Sequence, residues 1–343
     1  EDAEFAIAAW GLKEQGNFQE EATGEFSGAN VLHLASAKAT DPARLRRLRA
    51  RLLEVRAQRV PPATDDKVLT DWNGLALAAF ALAGRILNEP RYIEAAERCT
   101  DFLLEKLMDS DGRLLHRYRA GEAGLPGLLD DYAFLAWGLV EVYQATFEPR
   151  YLTKALVLLD QLEERFADEV GGYFLTPEDG EELLVRRKDA YDGALPSGNS
   201  IAALALLQLA RLTGDERLTG RAQALFAAFG QQVENVPTAF TQLLQALDFA
   251  LGSSQEVVLV AKTREDAGPL LAVLRGGFLP RAVIHLVMPD NREPLVAIAP
   301  WLANYPRPET GVAAYMCEGY ACQAPVTTPE ELRKALGLSP HNV

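Results

Sequence analysis

The chain has 343 residues, of which 48% are hydrophobic and 24% charged, and its 34 basic against 48 acidic side chains leave a formal charge of −14. So acidic a surface argues against a general nucleic-acid role and against binding to anionic membranes, because both need positive charge facing phosphate. The longest apolar run, Gly74 to Ala83, is about half of what a membrane span requires.

In chain order, residues 1 to 11 read as the end of a helix. With no initiating Met and no signal-like start, the chain is expected to be a fragment of something longer. Gly16 to Ser36 reads as a polar loop holding Asn30-Val31-Leu32-His33. Asp41 as N-cap and Pro42 at the first helical position then open a helix striped by Leu45, Leu48, Leu52 and Val55. Its arginines, from Arg44 to Arg59, are spaced as a solvated outer face.

After Pro61-Pro62, the helix opening at Asp71 is apolar on nearly every side and is expected to be surrounded by other helices. The helix from Pro90 to Met108 is amphipathic instead. Asp111-Gly112 introduces a hairpin through His116 and Tyr118 that ends at Gly121 to Gly124. The cycle then restarts with an apolar helix from Leu128 to Phe147 and an amphipathic one striped by Leu152, Ala155, Leu159, Leu162 and Phe166. Helices over Ser197–Thr213, Arg217–Phe229 and Thr238–Leu251 continue the alternation. Beyond Gly252, Glu256–Val260 and Ala282–Val287 read as strands around a helix from Glu265 to Leu274, one βαβ unit without a glycine-rich nucleotide turn. A strand over Val312–Met316 and a helix with a capping box at Thr328-Pro329-Glu330-Glu331 close the chain.

Two offsets organise this pattern. Setting Glu89-Pro90-Arg91-Tyr92 on Glu148-Pro149-Arg150-Tyr151 places Asp71 on Asp130 and Asn73 on Tyr132. Setting the same turn on Asp215-Glu216-Arg217-Leu218 places Asp71 on Ser197, Asn73 on Asn199 and Asp66 on Asp192. One helix pair is therefore reused and stacked. Buried helices alternating with amphipathic ones do not fit an up-down bundle, where every helix shows a polar face. They fit a mainly α fold, an α/α toroid with inner helices sheathed by outer ones, here incomplete and with a small C-terminal α/β segment. The expected domains are a toroid over 1–252 and a segment packed on it over 253–343.

Parallel inner helices would gather Asp71, Asp130 and Ser197 at one rim, with Asp66, Asp189 and Asp192 delivered by the preceding loops. Convergent carboxylates beside aromatic faces suit a site that holds and cleaves a sugar. The expected catalytic pair is Asp71 and Asp130. The expected substrate-binding residues are Asp66, Trp72, Asn73, Asp131, Tyr132, His116, Tyr191, Asp192, Ser197 and Asn199. Capping alone would also explain Asp130 and Ser197. A helix N-terminus lowers a carboxylate pKa, so both aspartates are expected as bases or nucleophiles rather than acids. Only His33 and His116 of the four histidines could reach the cavity, since His285 is in a strand and His341 in the tail. Hydrolysis is thus preferred to a histidine-driven epimerisation.

Cys99 lies on a core stripe. Cys317 and Cys322 lack a second cysteine pair for zinc and read as reduced structural thiols, which suits a cytoplasmic location. No metal and no cofactor are expected.

The motifs Asp65-Asp66-Lys67-Val68-Leu69-Thr70-Asp71-Trp72-Asn73-Gly74, Leu129-Asp130-Asp131-Tyr132-Ala133, Tyr191-Asp192-Gly193-Ala194-Leu195-Pro196-Ser197-Gly198-Asn199-Ser200 and Cys317-x4-Cys322-Gln323-Ala324-Pro325-Val326-Thr327 together resemble one family across almost the whole chain. It is the thioredoxin-domain-containing family that includes spermatogenesis-associated protein 20. The resemblance implies a thioredoxin-like domain followed by a toroid of the six-hairpin glycosidase and N-acylglucosamine epimerase kind. No C-x-x-C occurs in this sequence, so it resembles the carbohydrate-enzyme-like portion, and disulfide chemistry is not carried over. Unsaturated glucuronyl hydrolases of the same fold, by analogy, also place two aspartates about one hairpin apart. The expected partners are a small saccharide or other polar ligand and a thioredoxin-like domain of the same full-length protein. The alternatives to a hydrolase are a sugar epimerase and a non-catalytic binding module.

Overall fold

The structure, a computed structural model, describes residues 1–35, 41–253, 255–308, 311–318 and 321–338. His341 and the side chain of Cys322 lie outside the described residues. Two compact units are present, Glu1–Asp65 and Asp66–Val343.

In the first unit, α1 (Asp2–Trp10) ends at Gly11 in the left-handed region, and α2 (Pro42–Ala57) starts where the Asp41 side chain accepts from the Arg44 amide. Ala9, Trp10 and Leu45 form its small core. Of the expected stripe on α2, Leu45 is buried while Leu52 and Val55 are exposed.

The second unit begins with β1 (Val68–Leu69), α3 (Thr70–Leu87) and α4 (Pro90–Lys106), followed by the hairpin strands β2 (Leu115–Arg119) and β3 (Glu122–Pro126). Then come α5 (Leu129–Thr146), α6 (Pro149–Phe166), α7 (Gly198–Thr213), α8 (Glu216–Asn235) and α9 (Thr241–Leu251). Each amphipathic helix packs on the apolar helix before it: α4 on α3, α6 on α5, α8 on α7. The inner helices pack on one another in the order α3, α5, α7, α9. The result is an incomplete α/α toroid, an arc of inner helices sheathed by outer ones.

The inner helices run parallel. The Asp71 amide meets Asp131 near the starts of α3 and α5, and Arg85 meets Glu141 near their ends. Helix α5 is enclosed on nearly every side, including Glu141 and Gln144. Helix α3 corrects the expectation of full enclosure: Phe80, Ile86 and Leu87 are exposed. It is the first inner helix of the arc and, among the described residues, packs against α5 as its inner neighbour.

Glycine permits the closest approach of α3 to α5. A Cβ at Gly74 would stand 2.6 Å from the Leu135 nitrogen and the Phe134 carbonyl carbon, and one at Gly138 would stand 2.7 Å from the Gly74 oxygen. Both neighbours are backbone and cannot yield.

The rest of the second unit comprises β4 (Gln255–Ala261), α10 (Arg264–Gly276), β5 (Ala282–Val287), α11 (Arg292–Ile298), β6 (Val312–Glu318), β7 (Ala321–Cys322) and α12 (Pro329–Ala335). The sheet order is β5-β4-β6-β7, with β4 and β5 parallel as the βαβ reading requires and β6 antiparallel to β4. Thr328 and Glu331 form the expected capping box on α12. Val257, Leu259, Leu270, Leu286 and Leu332 fill a core of its own, to which Phe147 at the end of α5 contributes.

His285 on β5 is fully enclosed. Its Nδ1 accepts from the Tyr143 hydroxyl and its Nε2 donates to the Leu212 carbonyl, and burial pushes its pKa down to about 4. It is a neutral core imidazole. The expected pair of reduced thiols is corrected at Cys317, which is disulfide-bonded. The strand register sets Cys322 opposite Cys317. Cys99 is a free thiol.

Candidate active site

The starts of α3 and α5 meet around Asp131. This carboxylate is fully buried, and its Oδ1 accepts from the Asp71 amide at 3.0 Å while its Oδ2 accepts from the Leu128 amide at 2.7 Å. Both oxygens also lie 3.0 Å from Nδ1 of His116 on β2. One side chain thus ties a strand to two helix starts. The charge of Asp131 raises the His116 pKa, mainly through this hydrogen bond and against the opposing effect of burial.

Asp71 and Asp130 flank that anchor. Asp71 Oδ1 accepts from the Trp72 amide at 2.7 Å. Burial first, and the nearby Asp131 charge second, raise its pKa, while the Trp72 amide and His116 pull it back. Asp130 is pushed up to about 6, again by burial first and then by the charges of Asp71 and Asp131, against one amide from Gly198. The expectation that helix starts would lower both values is corrected. Desolvation among like charges outweighs a dipole effect of about 0.3–1 kcal/mol.

Asp130 lines a cavity of about 280 Å³ with Arg187, Asp189, Tyr191, Ser197 and Gly198. Tyr191 is exposed there, 61% of its surface open, and offers a ring face. Ser197 caps α7 by accepting from the Ser200 amide at 3.1 Å. Gly198 lets α7 come this near, since a Cβ would fall 2.4 Å from Asp130 Oδ1. Arg187, paired with Asp189 at 2.5 Å, is a lining residue that the sequence pattern did not single out. No repeat offset reaches it.

Several expected ligand contacts are corrected by how thoroughly their polar atoms are engaged inside the fold. Tyr132 is fully buried against Phe166, and its hydroxyl accepts from the Leu114 amide and Arg165. It is core, not a stacking wall. Asp131, as described, anchors rather than binds. Asp192 accepts from the amides of Ser197, Gln242 and Leu243, and so holds the loop and the start of α9. Asn199 is enclosed and bonds both backbone groups of Tyr173 and the Asp189 carbonyl. Asn73 donates to the Leu69 carbonyl and accepts from Cys99. Asp66 is exposed and pairs with Arg119 at 2.6 Å, so it does not orient Asp71. Trp72 is exposed on the first turn of α3.

Ligand atoms of Asp71, His116 and Asp131 lie within 4.8 Å of one another. A cation there would compete with the amide and imidazole donors already on Asp131, so hydrogen bonding accounts for the trio as it stands.

No family model matches the chain. Among solved structures, cellobiose 2-epimerase from Spirochaeta thermophila is 22% identical over 55% of each chain, with a TM-score of 0.41. A GH76 α-mannanase from Bacteroides thetaiotaomicron is 17% identical over 58% of this chain and 60% of that one, with a TM-score of 0.41. Spermatogenesis-associated protein 20 of Homo sapiens is 33% identical over 352 aligned residues, covering 95% of this chain and 45% of that protein. The motif resemblance and this identity agree: the chain is similar to spermatogenesis-associated protein 20 along nearly its whole length, and it spans a little under half the length of the relatives it matches.

Proposed function

We propose that the rim of the toroid binds a saccharide and hydrolyses it, with Asp130 as general acid and Asp71 as general base. The observation that carries this reading is the raised pKa of Asp130, about 6, at the wall of a cavity that also presents Tyr191. A desolvated carboxyl near neutral pH can both hold and release a proton, and this property suits the acid in glycoside cleavage. The aromatic face of Tyr191 suits the apolar face of a pyranose.

In the proposed step, the Asp130 carboxyl gives its proton to the glycosidic oxygen as the bond from that oxygen to the anomeric carbon breaks. A water oxygen bonds to the anomeric carbon, and the Asp71 carboxylate takes the proton that this water loses. One water is consumed and two hydroxyl-bearing products leave. Solvent then returns a proton to Asp130 and removes one from Asp71. Asp131 favours the cationic form of His116, and a charge there favours the ionised form of Asp71.

A second reading, binding without turnover, is favoured by the commitment of Asp131, Asp192 and Asn199 to internal bonds, which leaves few free polar groups. The deciding experiment incubates the purified chain with a panel of oligosaccharides and uronides, measuring released reducing ends and, by calorimetry, binding. Turnover that falls at least about a hundred-fold in Asp130→Asn, with binding retained, supports the hydrolase. Binding without release by the wild type supports the binding module, a new epimer without new reducing ends supports an epimerase, and no binding refutes the saccharide reading.

A further inference from the structure

At the opposite ends of the inner helices lies a second cavity of about 290 Å³ that shares no lining residue with the first. Arg85 stands 14 residues after Asp71 on α3, about 21 Å along the axis at the α-helical rise. The walls come from the C-terminal ends of α3 and α5, from α7, from α10, and from the turn leading into β5. Ile86, Leu271, Leu274, Phe278 and Leu279 make one side apolar, and Phe278 is 87% exposed at the mouth.

The charges in this cavity run against the character of the chain. A protein of net charge −14 places three arginines here, Arg85, Arg264 and Arg275, against one acid, Glu141. Arg264 is committed: it donates to the Ala145 and Thr146 carbonyls at 2.7 and 2.8 Å and lies over the Phe147 ring. Among the described residues Arg85 makes one loose polar contact, 3.5 Å from Glu141, and so retains N–H groups for a ligand. Glu141 is buried and already accepts from Gln208 at 3.0 Å. Among the described residues no ion pair or hydrogen bond engages Arg275, which is half-buried. Burial and the neighbouring Arg275 charge both disfavour the cation of Arg264, only partly relieved by Glu148 and Glu97.

Guanidinium groups left with open donors beside an apolar wall match one ligand chemistry. We propose that this cavity is a second binding site, remote from the rim, for a small organic anion with an apolar body, whose head is held by Arg85 and Arg275 and whose body packs on Leu271, Leu274 and Phe278. Carboxylate and phosphate heads share the chemistry, since both accept two N–H groups from a guanidinium fork. The volume is at the lower end of the range for small-molecule sites.

The test uses the whole chain and two fluorescent probes of nearly equal apolar body, anilinonaphthalene sulfonate and the uncharged N-phenylnaphthylamine. The sulfonate is expected to bind saturably at one site per chain and more tightly than the neutral probe. Arg275→Gln should weaken sulfonate binding by about ten-fold or more, the loss expected for a charged hydrogen bond, and leave the neutral probe unchanged. Phe278→Ser should weaken both. Octanoate or octyl phosphate should displace the sulfonate at concentrations where octanol does not. Equal affinity for the two probes, sulfonate binding untouched by Arg275→Gln, or displacement by neither anion overturns the proposal. Both substituted residues are exposed or half-buried and unpaired, so an unchanged melting temperature verifies that the variants fold.

Discussion

Replacing Asp130 by Asn should stabilise the protein at neutral pH, and the gain should vanish in acid. The folded pKa is about 6 against an ordinary 3.8. Between these values the folded state holds a proton that the unfolded chain releases, so stability falls as pH rises through the window. The full penalty is present above pH 6. A difference of roughly two units at 1.36 kcal/mol each gives about 3 kcal/mol as an upper figure. Asn keeps the shape and an oxygen for the Gly198 amide while removing the charge. Urea unfolding of the two proteins from pH 3.5 to 8 should show curves that meet near pH 3.5 and separate to about 3 kcal/mol by pH 7, or several degrees in melting temperature. A pH-independent difference, or a variant less stable at pH 8, would refute the claim that desolvation among like charges governs this carboxyl.

Any hydrolytic activity should decline above about pH 6 in kcat/KM, as the Asp130 proton is lost, and a flat profile to pH 8 would remove Asp130 from the acid role. His285 acts with the opposite sign: its folded pKa of about 4 lies below the ordinary 6.5, so stability is full above 6.5 and is lost as pH falls toward 4. In the wild type this partly cancels the Asp130 contribution, and the Asp130→Asn background should reveal a slope of up to about 1.4 kcal/mol per pH unit; a zero slope there would contradict a neutral buried imidazole. Gly74→Ala should cost roughly 1–3 kcal/mol or more by thermal or urea unfolding, because its Cβ would meet α5 backbone at 2.6 Å. Asp192→Ala should cost about 2 kcal/mol while leaving any pH–activity profile in place, whereas a shifted profile would return Asp192 to the site.

The architecture was legible because repetition survives in sequence even when single residues are ambiguous. The 59-residue offset from Asp71 to Asp130 located the starts of α3 and α5, and the apolar runs beneath them marked inner helices. Burial of individual rim residues was not legible, for a physical reason. Helix α5 is enclosed on almost all sides, so its pattern carries no face to distinguish Tyr132, turned into the core, from Asp130, turned to the cavity. Most partners of Asp131, Asp192 and Asn199 are backbone groups, several of them from distant segments, and backbone groups leave no mark in composition. The expected pKa direction failed likewise: a helix start can be read locally, but the neighbouring carboxylates that offset it arrive through tertiary packing.

The Asp131 knot has a mechanical corollary. One carboxylate is shared by the β2 strand and the openings of α3 and α5, so the His116 contact couples the β2–β3 hairpin to the Asp71 amide through a single side chain.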